Sequence, residues 1–311
     1  LVAVKVLELP AQPKSTLLKN NEKVSFQLKN IRLGESTAYS NLFWLQEKPT
    51  VGMYSVSNLN LRILPEITTA FPVVFTLELE GQTIDFVKNI SYKFNNPDDG
   101  ETYVPFTVLP KVTSTVTPEV VIFKDGQPKN VTVSITAHAS GLQGSVSLCY
   151  PADWKVTPKE IPFEIANKNE TKSVTFTVYP AQKEATEQLS ALVQIGDQTY
   201  DRQLITLHYP HIPKQTILVP NQTKLVRLDL NTKGKNLGYI MGAGDAIPAN
   251  LEQVGFQVTL LKPSEITLEK LAPFDAVLLG IRAFNVVDEL KFKNKILFEY
   301  VKNGGNVIVQ Y

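Results

Sequence analysis

Two glycine-bearing turns hold the residues whose types and spacing suit chemistry. The first is GYIMGAGDAI, residues 238–247, where Gly242 and Gly244 supply G-x-G and Asp245 follows directly. Between a strand and a helix, such a turn suits a dinucleotide pyrophosphate, because only glycine lets the backbone come that close. The pattern stops short. Ile247 holds the third glycine position, and the next strand ends at Lys262, where a ribose would need a carboxylate. A tight turn using glycine at positive φ is the preferred reading. A small anion or sugar at the helix start is the functional alternative. The second turn is GIRAFN, residues 280–285, at the carboxyl end of a later strand. Open α/β sheets bind ligands at that edge. Arg282 and Asn285 would offer donors there, with Asp245 as an acceptor from the neighbouring turn. Equally, Arg282 would pair with Asp245 and simply order two loops, and this structural reading carries more weight. The candidate ligand-binding residues are thus Gly242, Gly244, Asp245, Arg282 and Asn285.

Other reactive residues read as structural. NPDDGE (96–101) gathers Asp98, Asp99 and Glu101 but lacks the regular ligand spacing of a calcium loop, so it is a solvated turn. His208 and His211 lie in HYPHIP, a proline-containing segment where interdomain packing is expected. Cys149, the single cysteine, has neither a neighbouring base nor glycine flanks to activate it. Trp44 and Trp154 are the aromatic residues that a sugar would stack on, although burial in a core is the preferred reading for each. Glycosylation-type tripeptides begin at Asn89, Asn130, Asn169 and Asn221 and carry little weight in an Asn- and Thr-rich chain. No arrangement meets the needs of acid–base, nucleophilic or metal chemistry, so no catalytic or metal residue is assigned.

Formal charge is +1 without long runs of one sign, which argues against a nucleic-acid partner. No apolar stretch approaches the roughly 20 residues of a membrane helix. With 311 residues, two or three domains are expected.

The elements that must hold the two turns follow from periodicity. Through about residue 210 the chain is short alternating runs broken by Pro, Gly and Asn. Strands are expected at the start (LVAVKVLELP), at 24–33, at 73–81 and at 85–94, with EGQ (80–82) as a hairpin turn. A Pro-rich stretch, 103–120, joins this block to a second one. There 129–139 and 173–180 alternate strictly, 145–158 is a strand running into a turn, and 189–209 gives a hairpin around Gly196–Asp197 followed by a closing strand. Spacing of this kind predicts an antiparallel sandwich of immunoglobulin-like type. From residue 237 strands alternate with helical periodicity: LGYIMGAG (237–244) is a strand ending in a Gly turn, further strands are expected at 256–261, 274–280 and 306–311, and helices after Asp245, from Ser264 and from Asp288. That order predicts a parallel sheet covered on both faces. The expected architecture is multidomain: a β-sandwich over 1–110, an Ig-like β-sandwich over 111–210, and over 211–311 a flavodoxin-like α/β domain, truncated at its carboxyl end.

HYPHIP, LGYIMGAGD, FDAVLLGIRAFN and YVKNGGNVIVQY resemble the carboxyl-terminal region of large bacterial PIG-L/LmbE-like deacetylases, especially those of Bacteroidetes. NPDDGETYVPFTVLP is similar to the segment preceding the second β domain in those proteins. The resemblance covers essentially the whole chain, least strongly over 1–40. In that family an amino-terminal domain carries zinc and the deacetylation chemistry on an A-H-P-D-D-E motif. Here Asn96 stands where the metal-binding histidine would be and Gly100 precedes the glutamate, so no zinc site transfers to this chain. The middle block resembles immunoglobulin-like domains adjoining bacterial glycosidases. The last resembles a class I glutamine-amidotransferase-like or ThuA-like layer without its cysteine elbow.

The resemblance implies a non-catalytic accessory region of an N-acetylsugar deacetylase. Its partner would be the catalytic domain of the same polypeptide, with glycan as a further contact. Zinc would be expected only in that other domain, and a periplasmic or cell-surface setting is favoured. Two alternatives stand beside it. In one, the α/β part belongs to a hydrolase or amidotransferase-like site completed by residues beyond 311. In the other, the chain is a cell-surface spacer.

Overall fold

Short alternating runs become strands as far as Arg227, and an α/β pattern takes over from Asn236. The computed structural model describes residues 2–6, 14–25, 27, 33–34, 37–64, 72–209, 211–212 and 214–311. The chain is multidomain and β-rich, with several antiparallel sheets and one small parallel sheet.

At the amino-terminal end, β1 (Val2–Val6), β2 (Lys14–Thr16), β3 (Pro72–Leu79) and β4 (Gln82–Asn89) form an antiparallel sheet in the order β2-β1-β3-β4. The expected turn at 80–82 is a two-residue hairpin, with Glu80 at φ 49° and Gly81 at 79°. Positive φ at both central residues matches the right-handed twist of the flanking strands. The single run expected at 85–94 is divided: β4 ends at Asn89, and β5 (Ser91–Asn96) pairs instead with β6 (Gly100–Pro105) as a separate ribbon. Of the strand expected at 24–33, residues 26 and 28–32 lie outside the described ones, and Val24, Ser25, Gln27 and Leu33 are not in a strand.

The middle of the chain contributes β7 (Val112–Thr117), β8 (Val120–Phe123), β9 (Lys129–Ala137), β10 (Leu142–Cys149), β11 (Lys155–Thr157), β12 (Glu160–Ile165), β13 (Thr171–Tyr179), β14 (Ala185–Ile195) and β15 (Gln198–Tyr200). Further on lie β16 (Arg202–Leu207), β17 (Gln215–Pro220) and β18 (Gln222–Arg227). One sheet runs β11-β13-β9-β7; the other runs β12-β10-β14-β18-β8, with β15 hairpinned onto β14. The two share one core. Val131, Val133, Ile135, Phe176 and Val178 from the first sheet meet Phe163, Ile165, Leu189, Val193 and Leu225 from the second. The intervening residues of β9 and β13 form a polar ladder on the outer face: Ser134 with Ser173 and Thr136 with Thr171, each at 3.0 Å, and Thr177 donating to Asn130. Period-two alternation thus segregates apolar and polar residues across the sheet. Part of the stretch read as a linker, 103–120, is itself strand, and β7 closes the first sheet. The strand expected to close the second block, β16, pairs with β17 instead, and the larger sheet takes in β18.

Asn221 stands where β14 runs past the end of β18. Its side-chain amide donates to Ala191 O and accepts from Ala191 N–H, and it also donates to Ser114 Oγ. Fully buried, it has both amide hydrogens committed, so the glycosylation-type tripeptide there is closed to modification in the fold.

The last part holds β19 (Asn236–Ile240), α1 (Ile247–Gln253), β20 (Gln257–Leu260), α2 (Leu268–Leu271), β21 (Ala276–Leu279), α3 (Ala283–Val286), α4 (Asn294–Lys302) and β22 (Val307–Val309). All four strands are parallel, in the order β20-β19-β21-β22. Ile266, Leu271, Leu290, Leu297 and Tyr300 cover one face, and Ile247 and Leu251 of α1 cover part of the other. The helix expected from Ser264 is delayed. A 3₁₀ turn at Pro263–Glu265 leads into buried Ile266, and Thr267, whose side chain accepts from Lys270 N–H, caps α2. Gly304, at φ 95°, ends α4 as expected.

One helix side chain joins this part to the sandwich. Because β8 is an edge strand, the backbone groups of Val120 and Ile122 that point away from β18 have no strand partner. Gln253 supplies one: its Oε1 accepts from Ile122 N–H at 2.8 Å and its Nε2 donates to Val120 O at 3.0 Å. Lys129 Nζ adds bonds to Ile122 O and Gln253 O, at 2.6 and 2.7 Å. Replacing Gln253 by alanine leaves both β8 groups without that amide and is expected to cost about 1–3 kcal/mol. Hydrogen exchange at the Ile122 amide is the direct readout. Unchanged protection there would show that the side chain does not hold the edge.

Candidate functional site

The parallel sheet reverses its winding between β19 and β21: the chain moves outward to β20, then returns past β19 to β21 and β22. Loops after the two central strands diverge at such a point and leave a crevice at the strand carboxyl ends. Both glycine turns of the sequence lie there.

Close backbone approach sets their geometry. A Cβ on Gly242 would lie 2.0 Å from the carbonyl oxygen of Ile281, and one on Gly280 would lie 2.9 Å from Gly242 N. Ala243 N–H donates to Ile281 O at 2.9 Å and Gly280 N–H to Ile240 O at 2.8 Å, tying the loops together. Gly244, at φ 101°, takes the positive-φ position of the first turn and faces open space. The tight-turn reading of the glycines therefore holds. Ile247, where a third glycine would stand, packs against the sheet with Leu251.

Asp245 is not paired with Arg282. Both its carboxylate oxygens accept from the Tyr239 hydroxyl, at 2.9 and 2.8 Å, and Oδ1 also accepts from Ile247 N–H at the start of α1. Tyr239 is fully buried at the end of β19, and Gln310 Nε2 donates to its oxygen at 3.3 Å. Burial, and then the bond to Asp245, push the Tyr239 hydroxyl up to about 12. Tyr239 and Gln310 escaped the sequence reading. The available signal was a tyrosine in an otherwise apolar strand directly before a Gly-Asp turn, since a buried phenol needs a partner.

Arg282 follows β21 in the left-handed region, at φ 54° and ψ 25°, where a side chain is disfavoured. Its carbonyl accepts from Asn285 and Val286 N–H, starting α3, and its exposed side chain has no ion-pair or hydrogen-bond partner among the described residues. Arg282, Phe284, Asn285, Val309 and Gln310 line an open cleft of about 810 Å³ at the carboxyl ends of β21 and β22. Of the five residues marked from sequence, Arg282 and Asn285 thus share a cleft. Gly242, Gly244 and Asp245 build the adjoining loop, where Asp245 acts as a structural acceptor.

The remaining candidates fall as follows. Among the described residues no group of His, Cys, Asp and Glu is placed to hold a metal. Asp98 and Asp99 lie in an exposed turn, where Asn96 donates to Asp99, and Glu101 lies on β6, ion-paired with Lys93. His208 and His211 are exposed, with His211 near the Tyr209 ring, so the packing expected of them is not formed. Cys149 is exposed, on the opposite side of β10 from Val146 and Leu148. Trp154 is buried edge-on to Phe123 at 5.2 Å, and Trp44 is half-buried against Phe43. The rings that do reach solvent include Tyr92 and Phe94, stacked at 5.6 Å on the β5–β6 ribbon.

No family model matches the chain, and no curated protein matches it. Three solved structures that it is similar to illustrate the range. The Escherichia coli alpha-2-macroglobulin, spanning domain MG7 to the C-terminus, is 13% identical over 37% of this chain and 16% of that one, with a TM-score of 0.26. A family 123 glycoside hydrolase from Clostridium perfringens is 9% identical over 55% of this chain and 38% of that one, with a TM-score of 0.25. WR4, an MSP family member of C. elegans, is 11% identical over 37% of this chain and 97% of that one, with a TM-score of 0.21. The chain spans only 16% of the macroglobulin fragment and 8% of the native macroglobulin. Likenesses this weak assign no function.

Two outcomes test the geometry. Gly242→Ala forces a methyl group against the Ile281 carbonyl and is expected to cost about 1–3 kcal/mol, read by thermal unfolding. A variant as stable as the parent would mean that the loops are not in contact. For Tyr239, a raised pKa in the fold means that stability is intact below pH 10 and falls as pH rises towards about 12. Tyr239→Phe is expected to remove that portion of the alkaline decline, and superimposable alkaline curves for the two proteins would contradict the buried pair.

Proposed function

We propose that this chain is the non-catalytic accessory region of an LmbE-like N-acetylsugar deacetylase. In this reading it positions the catalytic domain and contacts glycan at the α/β edge. The observation that carries the positioning role is the seam between the sandwich and the α/β part. Gln253 and Lys129 make three hydrogen bonds across it to backbone groups, which suits a rigid arm better than a flexible tether. The glycan contact is supported by the cleft beside Arg282 and Asn285 at the reversal point of the sheet.

We further infer an immunoglobulin-like sandwich from β7 to β18, which moves its end from about residue 210 to Arg227, because β18 is hydrogen-bonded within the sheet. The order β20-β19-β21-β22 supports the flavodoxin-like reading of the last part. The sequence resemblance to PIG-L/LmbE-like proteins supplies the family.

The test is to incubate the chain with N-acetylglucosamine oligosaccharides, with and without added Zn²⁺, measuring acetate release and binding together. Binding without acetate is the expected outcome. Acetate release that depends on this chain would overturn the non-catalytic reading. Absence of binding would remove the glycan contact and leave the positioning role.

A further inference from the structure

We infer that the cleft at the carboxyl ends of β21 and β22 selects a carboxylate-bearing sugar, of the hexuronic acid class, through Arg282. This deepens the glycan contact proposed above and rests on it.

Three observations converge. First, Arg282 is the single charged side chain among the residues lining the cleft; the others are uncharged, including Phe284, Asn285, Gln310 and Tyr311. An exposed cation with no carboxylate beside it favours an anionic guest. Second, the carboxylate that would neutralise it is engaged elsewhere. Asp245, in the adjoining loop, is held by the Tyr239 hydroxyl and Ile247 N–H, and no ion pair reaches Arg282 among the described residues. Third, Arg282 occupies a left-handed backbone position that glycine would fill without cost. Its backbone carbonyl starts α3, a task that glycine would do as well, so the choice of an arginine side chain without a partner among the described residues points to a role outside the fold.

The lining of the cleft narrows the class. Phe284, Asn285, Gln310 and Tyr311 beside Arg282 offer more kinds of contact than a bare inorganic anion uses. The Phe284 ring gives an apolar surface for a sugar face, Asn285 offers an amide for hydroxyl groups, and the Arg282 fork pairs with a carboxylate.

The chain is titrated with glucuronate, glucose and acetate, each followed by NMR, for the parent and for Arg282→Ala, Arg282→Lys and Arg282→Gly. Glucuronate is expected to bind best, and Arg282→Ala to weaken it roughly ten- to a hundredfold. Arg282→Lys should recover part of the loss, because it keeps the charge and loses the fork. Arg282→Gly should abolish the preference while leaving the thermal midpoint unchanged or higher, which separates lost binding from lost folding. Equal binding of glucose and glucuronate, indifferent to Arg282, would overturn the acid selectivity and leave the glycan reading in place. Acetate binding as tightly as glucuronate would reduce the site to a plain anion contact and overturn the sugar class. No binding by any probe would overturn this inference together with the glycan contact, while the positioning role is judged separately by the Gln253 seam.

Discussion

An unpaired strand edge must be satisfied, and the way this chain satisfies one edge decides how its parts are joined. β8 lies at the margin of the sandwich sheet, bonded to β18 on one side only. Its outward carbonyl and amide groups would otherwise face water or invite another strand. Gln253 presents a primary amide with the same donor and acceptor as a peptide unit, and it comes from the last turn of α1. The edge is closed by a helix belonging to the α/β part, so the orientation of that helix is tied to the sandwich. Lys129 reinforces the joint at a cost. Burial lowers its pKa, and it recovers stability through two carbonyl contacts and the nearby Phe123 ring.

The same device recurs. Asn221 continues the ladder of β14 onto Ala191, and Asn41 both donates to Leu218 O and accepts from Leu218 N–H on β17. Side-chain amides thus stand in for missing strands at three places where sheets meet other segments. An amide suits this role because it carries donor and acceptor side by side without charge, so burial needs no counter-ion.

At the sheet edge a different constraint operates. The loops after β19 and β21 approach so closely that Gly242 and Gly280 admit no Cβ, and the Asp245 carboxylate is drawn inward to Tyr239. Arg282 stays outside, with no ion-pair or hydrogen-bond partner for its guanidinium among the described residues. One packing decision, the burial of a tyrosine hydroxyl, removes the anion that the sequence placed beside the cation.

Period-two runs such as 129–139 and 173–180, the glycines at 81 and 304, and the α/β alternation after residue 236 were legible in the sequence by itself, because each rests on neighbours a few residues away. The glycines of the two turns were legible for the same reason. Only the tertiary structure decided that β16 leaves the sandwich sheet, that β18 joins it, that Gln253 closes β8 and that Asp245 answers Tyr239. Those outcomes rest on pairings between residues as far as 133 positions apart, as between Val120 and Gln253, and strand period carries no information about them. Local chemistry determined the elements; competition among distant backbone groups for the same partners determined their assembly.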